Sequence, residues 1–188
     1  IGLVGLGGGA QDGVGLGVMA LQVGEFGPIS SVMDEAILYA MDNGADVVTM
    51  SLSIGSDSAV QAAIDAAHTA GVFINCSAGN FGGVGFPAQL PNVVAVGGTD
   101  HNDNGGGFST GPEILVAAPS SNIVMCDLGG GYTTSSGTSF GSPMVAALAG
   151  MALSINPNLS PAQVADVIRD GADDVGSPGF DTQTGWGR

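Results

Sequence analysis

The sequence predicts an α/β domain: a mainly parallel sheet with helices on both faces, in three layers. Three observations carry this. Residues 46–52, 72–77 and 93–97 are short, near-continuous apolar runs rich in valine and isoleucine, the pattern of strands buried on both faces. Amphipathic stretches of helical length separate the first two of these runs, as crossover connections between parallel strands require. The 188 residues, 44% hydrophobic, suffice for one domain with a sizeable core.

The elements follow in order. Gly5-Leu6-Gly7-Gly8-Gly9-Ala10 loosely resembles a dinucleotide fingerprint. It lacks a full preceding strand and an opening helix, so a glycine-rich surface loop is the plainer reading. Residues 18–23 read as a strand. Ser30 or Ser31 can cap a helix running to about Asn43 and stopped by Gly44, with Val32, Ala36, Leu38, Tyr39 and Ala40 facing the core. Residues 46–52 form the next strand, and a helix over 58–70 ends at Gly71. Strands at 72–77 and 93–97 follow, then shorter ones at 113–118 and 122–126 nearer an edge. A small-residue apolar helix runs on from Pro143, read as lying in its first turn. The last helix opens at Ser160-Pro161, a cap followed by a first-turn proline. No repeat, linker or domain boundary interrupts residues 1–188.

Composition excludes several functions. Two Lys+Arg against 17 Asp+Glu give a net charge of −15. Nucleic acid is excluded as a partner, because phosphate binding needs cations. Such acidity fits a salt-rich habitat, a secreted protein selected for solubility, or ordinary drift. No run of eighteen apolar residues is free of breakers, so no membrane-spanning helix is expected. Cys76 and Cys126 are too few for a disulfide framework, and whether they pair is open. No Cys/His cluster has zinc spacing. Asp100 and Asp103 could hold structural calcium, against the plainer reading of a solvated acidic loop.

Ser139 lies in Gly137-Thr138-Ser139-Phe140-Gly141-Ser142-Pro143, at the mouth of the apolar helix. A hydroxyl there faces free N–H groups and the positive end of the helix dipole, so an oxyanion forming beside it is stabilised. Ser77-Ala78-Gly79-Asn80 ends a buried strand with small residues and an amide. A side-chain N–H₂ fixed there can donate to the same oxyanion, although an Asn after Gly is also a common turn residue. Gly-x-Ser-x-Gly also matches the nucleophile elbow of α/β-hydrolases, but that order needs a histidine after the serine. His68 and His101 both precede Ser139. One closes a helix and the other sits in a polar loop, and each reads as a surface residue.

Together these motifs resemble the subtilisin-like serine proteases, the subtilases. Gly137-Thr138-Ser139 with Pro143 looks like the family's nucleophile motif, with Met144 where a histidine often stands, and Ser77-Ala78-Gly79-Asn80 like its oxyanion motif. Residues 46–52, Gly85-Phe86-Pro87 and 91–97 resemble the strand and far wall of the specificity pocket, and Gly185-Trp186-Gly187-Arg188 the run into a closing helix. The motifs keep the family's order, with Asn80 and Ser139 59 positions apart. The resemblance implies a serine endopeptidase acting on peptides or proteins, with Ser139 as nucleophile and Asn80 in the oxyanion hole. Ser51, Leu52, Ser53, Gly79, Gly85 and Ala88 would shape the pocket and bind substrate backbone. It implies no cofactor for the chemistry and an extracellular, secreted protein. Two departures stand out. Ser53 replaces the usual pocket-rim glycine, and the family's catalytic Asp and His motifs are absent. Residues 1–188 are therefore expected to be a partial peptidase domain, inactive alone and completed by an N-terminal segment of the same domain. The alternative is a non-catalytic binding module that keeps the fold.

Overall fold

The computed structural model describes residues 15–25 and 27–188; the glycine-rich loop expected at 5–10 lies outside them. The order is α1 (Ser30–Asp42), β1 (Val47–Met50), α2 (Ser58–Thr69), β2 (Phe73–Ser77), β3 (Val94–Thr99), β4 (Ile114–Pro119), β5 (Ile123–Cys126), β6 (Tyr132–Ser135), α3 (Thr138–Ile155) and α4 (Pro161–Asp170). Strands β1 to β4 make one sheet in sequence order, every pair parallel. Their carboxyl ends therefore lie along one rim.

Alternation along the strands divides the interior into two cores. Val48, Met50, Ile74, Cys76 and Ala95 face α1 and α2, whose Met33, Ile37, Val60, Ile64 and Ala67 complete the first core. Phe73, Val96, Val116 and Ala118 face the other way, onto Val145 and Ala149 of α3 and Val164 and Ile168 of α4. The result is the expected three-layer α/β arrangement. Helix α3 has the length and apolarity of a membrane span by composition, 18 residues at mean hydropathy 1.4. In the fold it lies across all four strands of the sheet.

Local chemistry sets the helix ends. Asp57 caps α2 by accepting from the N–H groups of Ala59 and Val60, which holds its carboxyl below the ordinary range, a further bond from Ser30 adding to this. Ser160 and Gln163 form a reciprocal capping box on α4, with Pro161 in its first turn.

Several expectations are corrected. Residues 18–23 are not a strand: no strand pairs with them among the described residues, and Val18 is 91% exposed. Without a ladder partner, apolar and β-branched composition does not make a strand. Neither Ser30 nor Ser31 caps α1. The cap position is Ile29, and Ser30 is the first helical residue. Of the expected core positions on α1 only Ala40 is fully buried; Met33 and Ile37 join it, and Tyr39 is exposed. Residues 122–126 leave the sheet and pair antiparallel with β6 in a separate ribbon. Pro143 lies not in the first turn of α3 but one turn in, with the consequence described below. Cys76 and Cys126 are free thiols, the first buried on β2 and the second exposed on the ribbon.

Candidate active site

Three chain segments meet at the carboxyl rim. Ser51 follows β1, Ala78-Gly79-Asn80 follow β2, and Gly137, just before α3, donates its N–H to Ser120 O at the end of β4 (2.8 Å). Parallel pairing thus delivers Ser51, Asn80 and Ser139 to one rim, the place where ligands bind in open parallel sheets.

Thr138 joins two of these segments. It is fully buried. Its N–H donates to Asn80 Oδ1 (2.9 Å), and its Oγ1 lies 3.2 Å from the same oxygen. Thr138 Oγ1 also accepts from Gly79 N (3.1 Å) and lies 3.1 Å from Gly79 O. Because a backbone N–H can only donate, Asn80 must turn Oδ1 toward Thr138, and Nδ2 has no hydrogen-bond acceptor among the described residues. A Cβ on Gly137 would lie 3.3 Å from that Nδ2, so glycine keeps the approach open. Gly79 has φ +113° and would set a Cβ 2.7 Å from Ser109 Oγ, so only glycine fits there. Ser109 ties the loop down by donating its N–H to Gly79 O (3.0 Å) and bonding both polar groups of the Phe81 backbone.

Pro143 breaks the ladder of α3 at Ser139. Its missing N–H would have bonded the carbonyl four residues earlier, that of Ser139. Ser51 Oγ donates to this carbonyl instead (2.9 Å), and Ser139 Oγ in turn lies 3.4 Å from Ser51 O. The next turn is seated on the sheet by the buried Asn75 and Ser142 and the exposed Thr49. Asn75 Nδ2 donates to Ser142 O (2.8 Å) and Ser142 Oγ (2.9 Å), and Thr49 Oγ1 is 3.3 Å from Ser142 Oγ. Asn75 Oδ1 is buried without a hydrogen-bond partner among the described residues.

The remaining expected residues surround this point. Leu52 is half-buried and Ser53 exposed. The 51–54 segment is pinned to the 84–86 segment by Ile54 N donating to Phe86 O (3.0 Å), and Gly85 N donates to Ala78 O (3.2 Å). Ala88 differs from expectation. At 1% exposure it belongs to the core on the α2 side, so it backs the 84–86 segment and offers no surface to a bound chain.

His68 is half-buried in α2, and the exposed His101 ring pairs with Asn102 Nδ2 (3.2 Å). Neither ring is hydrogen-bonded to Ser139. Cys76 is a poor nucleophile: burial pushes its thiol up to about 12. The Asp100 carboxylate accepts from the N–H groups of Asn104 and Asn102, which holds it below the ordinary range, while Asp103 pairs with Arg188 at 3.0 Å. Among the described residues no group of three or more His, Cys, Asp or Glu side chains gathers as a metal site. Sequence reasoning assigned no role to Thr138, although it sits inside the quoted motif. It also missed Asn75, whose signal is a lone amide in an otherwise apolar strand.

The arrangement is a helix-borne serine beside a strand-end amide with its donors free, on a three-layer parallel α/β scaffold. The family model described as the subtilase family, Peptidase_S8, matches residues 8–187, and the chain belongs to that family. It is 37% identical to subtilisin DY of Bacillus licheniformis over 154 residues, covering 78% of this chain and 56% of that protein. It is 38% identical to the halolysin-like extracellular serine protease Nep of Natrialba magadii over 177 residues, 92% of this chain and 32% of that one. Among solved structures, sphericase superposes with a TM-score of 0.78 at 28% identity, covering 85% of this chain and 63% of that chain. The chain spans about half the length of the curated relatives it matches, 56% and 43% for two of them.

Proposed function

We propose that the chain is the larger part of a serine endopeptidase that cleaves peptide bonds through an acyl-enzyme on Ser139. The observation that carries the reading is the anchoring of Asn80 Oδ1 by Thr138, which leaves Asn80 Nδ2 free beside the serine. Ser139 Oγ attacks the scissile carbonyl and a base takes its proton. Asn80 Nδ2 and the Ser139 N–H, unpaired in the first turn of α3, hold the oxyanion; the base then protonates the leaving amine, and water releases the acyl group. Loss of such an amide lowers turnover by about 10²–10³, a magnitude measured in a subtilisin. Since neither His68 nor His101 is bonded to Ser139, the base and the carboxylate that orients it come from residues outside these 188, in the same domain. The exposed backbone of residues 51–53 pairs with an extended peptide, and Leu52, Gly79 and Gly85 bound its pocket. Substrates are peptides or proteins, the chemistry uses no cofactor, and the protein is secreted, as the word extracellular in a relative's name suggests.

A serine-directed phosphonyl fluoride tests this, read by intact mass. Residues 1–188 alone should label slowly, because a serine hydroxyl without an adjacent base is a weak nucleophile. The same chain carrying the base should label rapidly, and only at Ser139. Equal, negligible labelling of both would favour a binding module; rapid labelling of residues 1–188 alone would mean that a base within them had been overlooked.

A further inference from the structure

Ser53 faces Gly85 in a way that limits what can lie between the 51–54 and 84–86 segments. It lies two residues beyond Ser51, and the two side chains share one face of an extended segment. Ile54, between Ser53 and the next turn, donates its N–H to Phe86 O (3.0 Å). That bond holds the 51–54 and 84–86 segments side by side and fixes the width of the gap between them. Across this gap, a Cβ placed on Gly85 would lie 3.0 Å from Ser53 Oγ and 3.4 Å from Ser53 Cβ. The first distance is tighter than ordinary van der Waals contact, so not even one added methyl fits between Ser53 and Gly85 without a shift. On the remaining side, Gly85 N donates to Ala78 O (3.2 Å), and Gly79 is locked by Ser109. Backbone bonds therefore tie the 51–54, 84–86 and 78–79 segments together, and the Ser53 side chain is what a Cβ on Gly85 would meet.

We infer that Ser53 closes the pocket beside Ser139 to large side chains, so that the residue on the acyl side of the bond cut is small, with alanine favoured. This rests on the peptidase reading above and names the substrate class for that site. Ser53 Oγ makes no hydrogen bond within the described residues, so nothing holds it aside when a ligand enters. A hydrophobic pocket that lacks room for a few carbons discriminates by about tenfold or more for each step in size. An aromatic ring is several steps larger than a methyl.

The test uses the complete gene product with fluorogenic tetrapeptides that differ only in alanine or phenylalanine at the acyl position. The alanine peptide should show a kcat/KM at least about tenfold higher. Ser53→Gly should raise the phenylalanine-to-alanine ratio of kcat/KM by at least about tenfold. Ser53→Ala, which keeps Cβ and loses only Oγ, should fall between, and thermal melts should show that both variants fold. Equal cleavage of the two peptides by the natural protein, or an unchanged ratio in Ser53→Gly, would overturn the role of Ser53 and leave the peptidase reading intact. Binding of the matching product peptides, with free alanine or phenylalanine carboxyl ends, gives a second readout by calorimetry that needs no turnover. Tighter binding of the alanine peptide supports the inference. Equal or tighter binding of the phenylalanine peptide overturns it. Absence of both cleavage and Ser139 labelling would instead count against the peptidase reading, and absence of all peptide binding against both.

Discussion

Replacing Thr138 by valine keeps the shape of a fully buried side chain and removes its hydroxyl. The Gly79 N–H then loses its acceptor at 3.1 Å, and Asn80 Oδ1 keeps only the Thr138 N–H at 2.9 Å. The single hydroxyl hydrogen serves either Gly79 O or Asn80 Oδ1, so one donated bond is lost in any arrangement. A net hydrogen bond is worth about 1 kcal/mol, and a buried donor left unpaired costs about 1–3 kcal/mol. Gly79 is half-buried, which places the second figure near its lower end and the total at about 2–3 kcal/mol. With a urea slope of about 2–3 kcal/mol per molar for a chain of this size, the midpoint should fall by about 1 M. The fluorescence of Trp186, the sole tryptophan, and far-UV circular dichroism would report the transition together. Thr138→Ser restores the hydroxyl and loses one buried methyl, about 0.8 kcal/mol, so it should recover most of the difference. A valine variant within about 0.5 kcal/mol of the natural protein, or a serine variant as unstable as valine, would refute the idea that this hydroxyl locks the Asn80 loop.

Gly79→Ala should destabilise by about 1–3 kcal/mol, from positive φ and the 2.7 Å approach to Ser109 Oγ, and should slow Ser139 labelling; a neutral melt would contradict the assigned backbone constraint. Asn75→Asp places a carboxylate with no cation on a fully buried site. Desolvation raises its folded pKa, so stability present below the unfolded value of about 3.9 should be lost as pH rises through the folded pKa, visible as a midpoint that falls between pH 4 and pH 8. Asp181 behaves in the opposite sense: burial alone would raise its pKa, but bonds from Thr184, Gln183 and Ser177 lower it on balance. Its contribution is present above about pH 3.9 and is lost as pH falls through the folded pKa, and Asp181→Asn should flatten that acid limb of urea midpoint against pH. The net charge of −15 predicts a melting temperature that climbs with sodium chloride, as the screening length shrinks from about 10 Å at 0.1 M to about 3 Å at 1 M; a flat profile would show that self-repulsion is unimportant.

What could be read from the sequence was what local pattern determines. Strand β2 is buried at every position, so its apolar run could scarcely be anything else. Val60, Ala63, Ile64 and Ala67 on α2 recur at helical spacing, with Gly71 as the stop, and Asp57 was an available capping signal that went unused. Residues 18–23 have strand composition, but a strand exists only through its partner, and partnership is not written in composition. Strand β6 was missed for the reverse reason: Tyr132–Ser135 is wholly exposed, so no buried face marks it, and only the preceding glycines and its threonines hint at a ribbon. Within the site, Gly137-Thr138-Ser139 and Asn80 stood out as motifs. The contact between them depends on the register of β1, β2 and α3, which no short window contains. Asn75 was invisible for the same reason, since its partner Ser142 lies 67 positions away.

The proline inside α3 has a mechanical consequence. By withholding one donor, Pro143 frees the carbonyl of Ser139, and Ser51 takes it up at 2.9 Å. The ledge along which a peptide would lie is thereby yoked to the backbone it is meant to reach. A displacement of the ledge would strain the bond to Ser139 O directly. Restoring the donor with Pro143→Ala would set Ser51 and the helix competing for one oxygen, loosening the yoke while lengthening the regular helix.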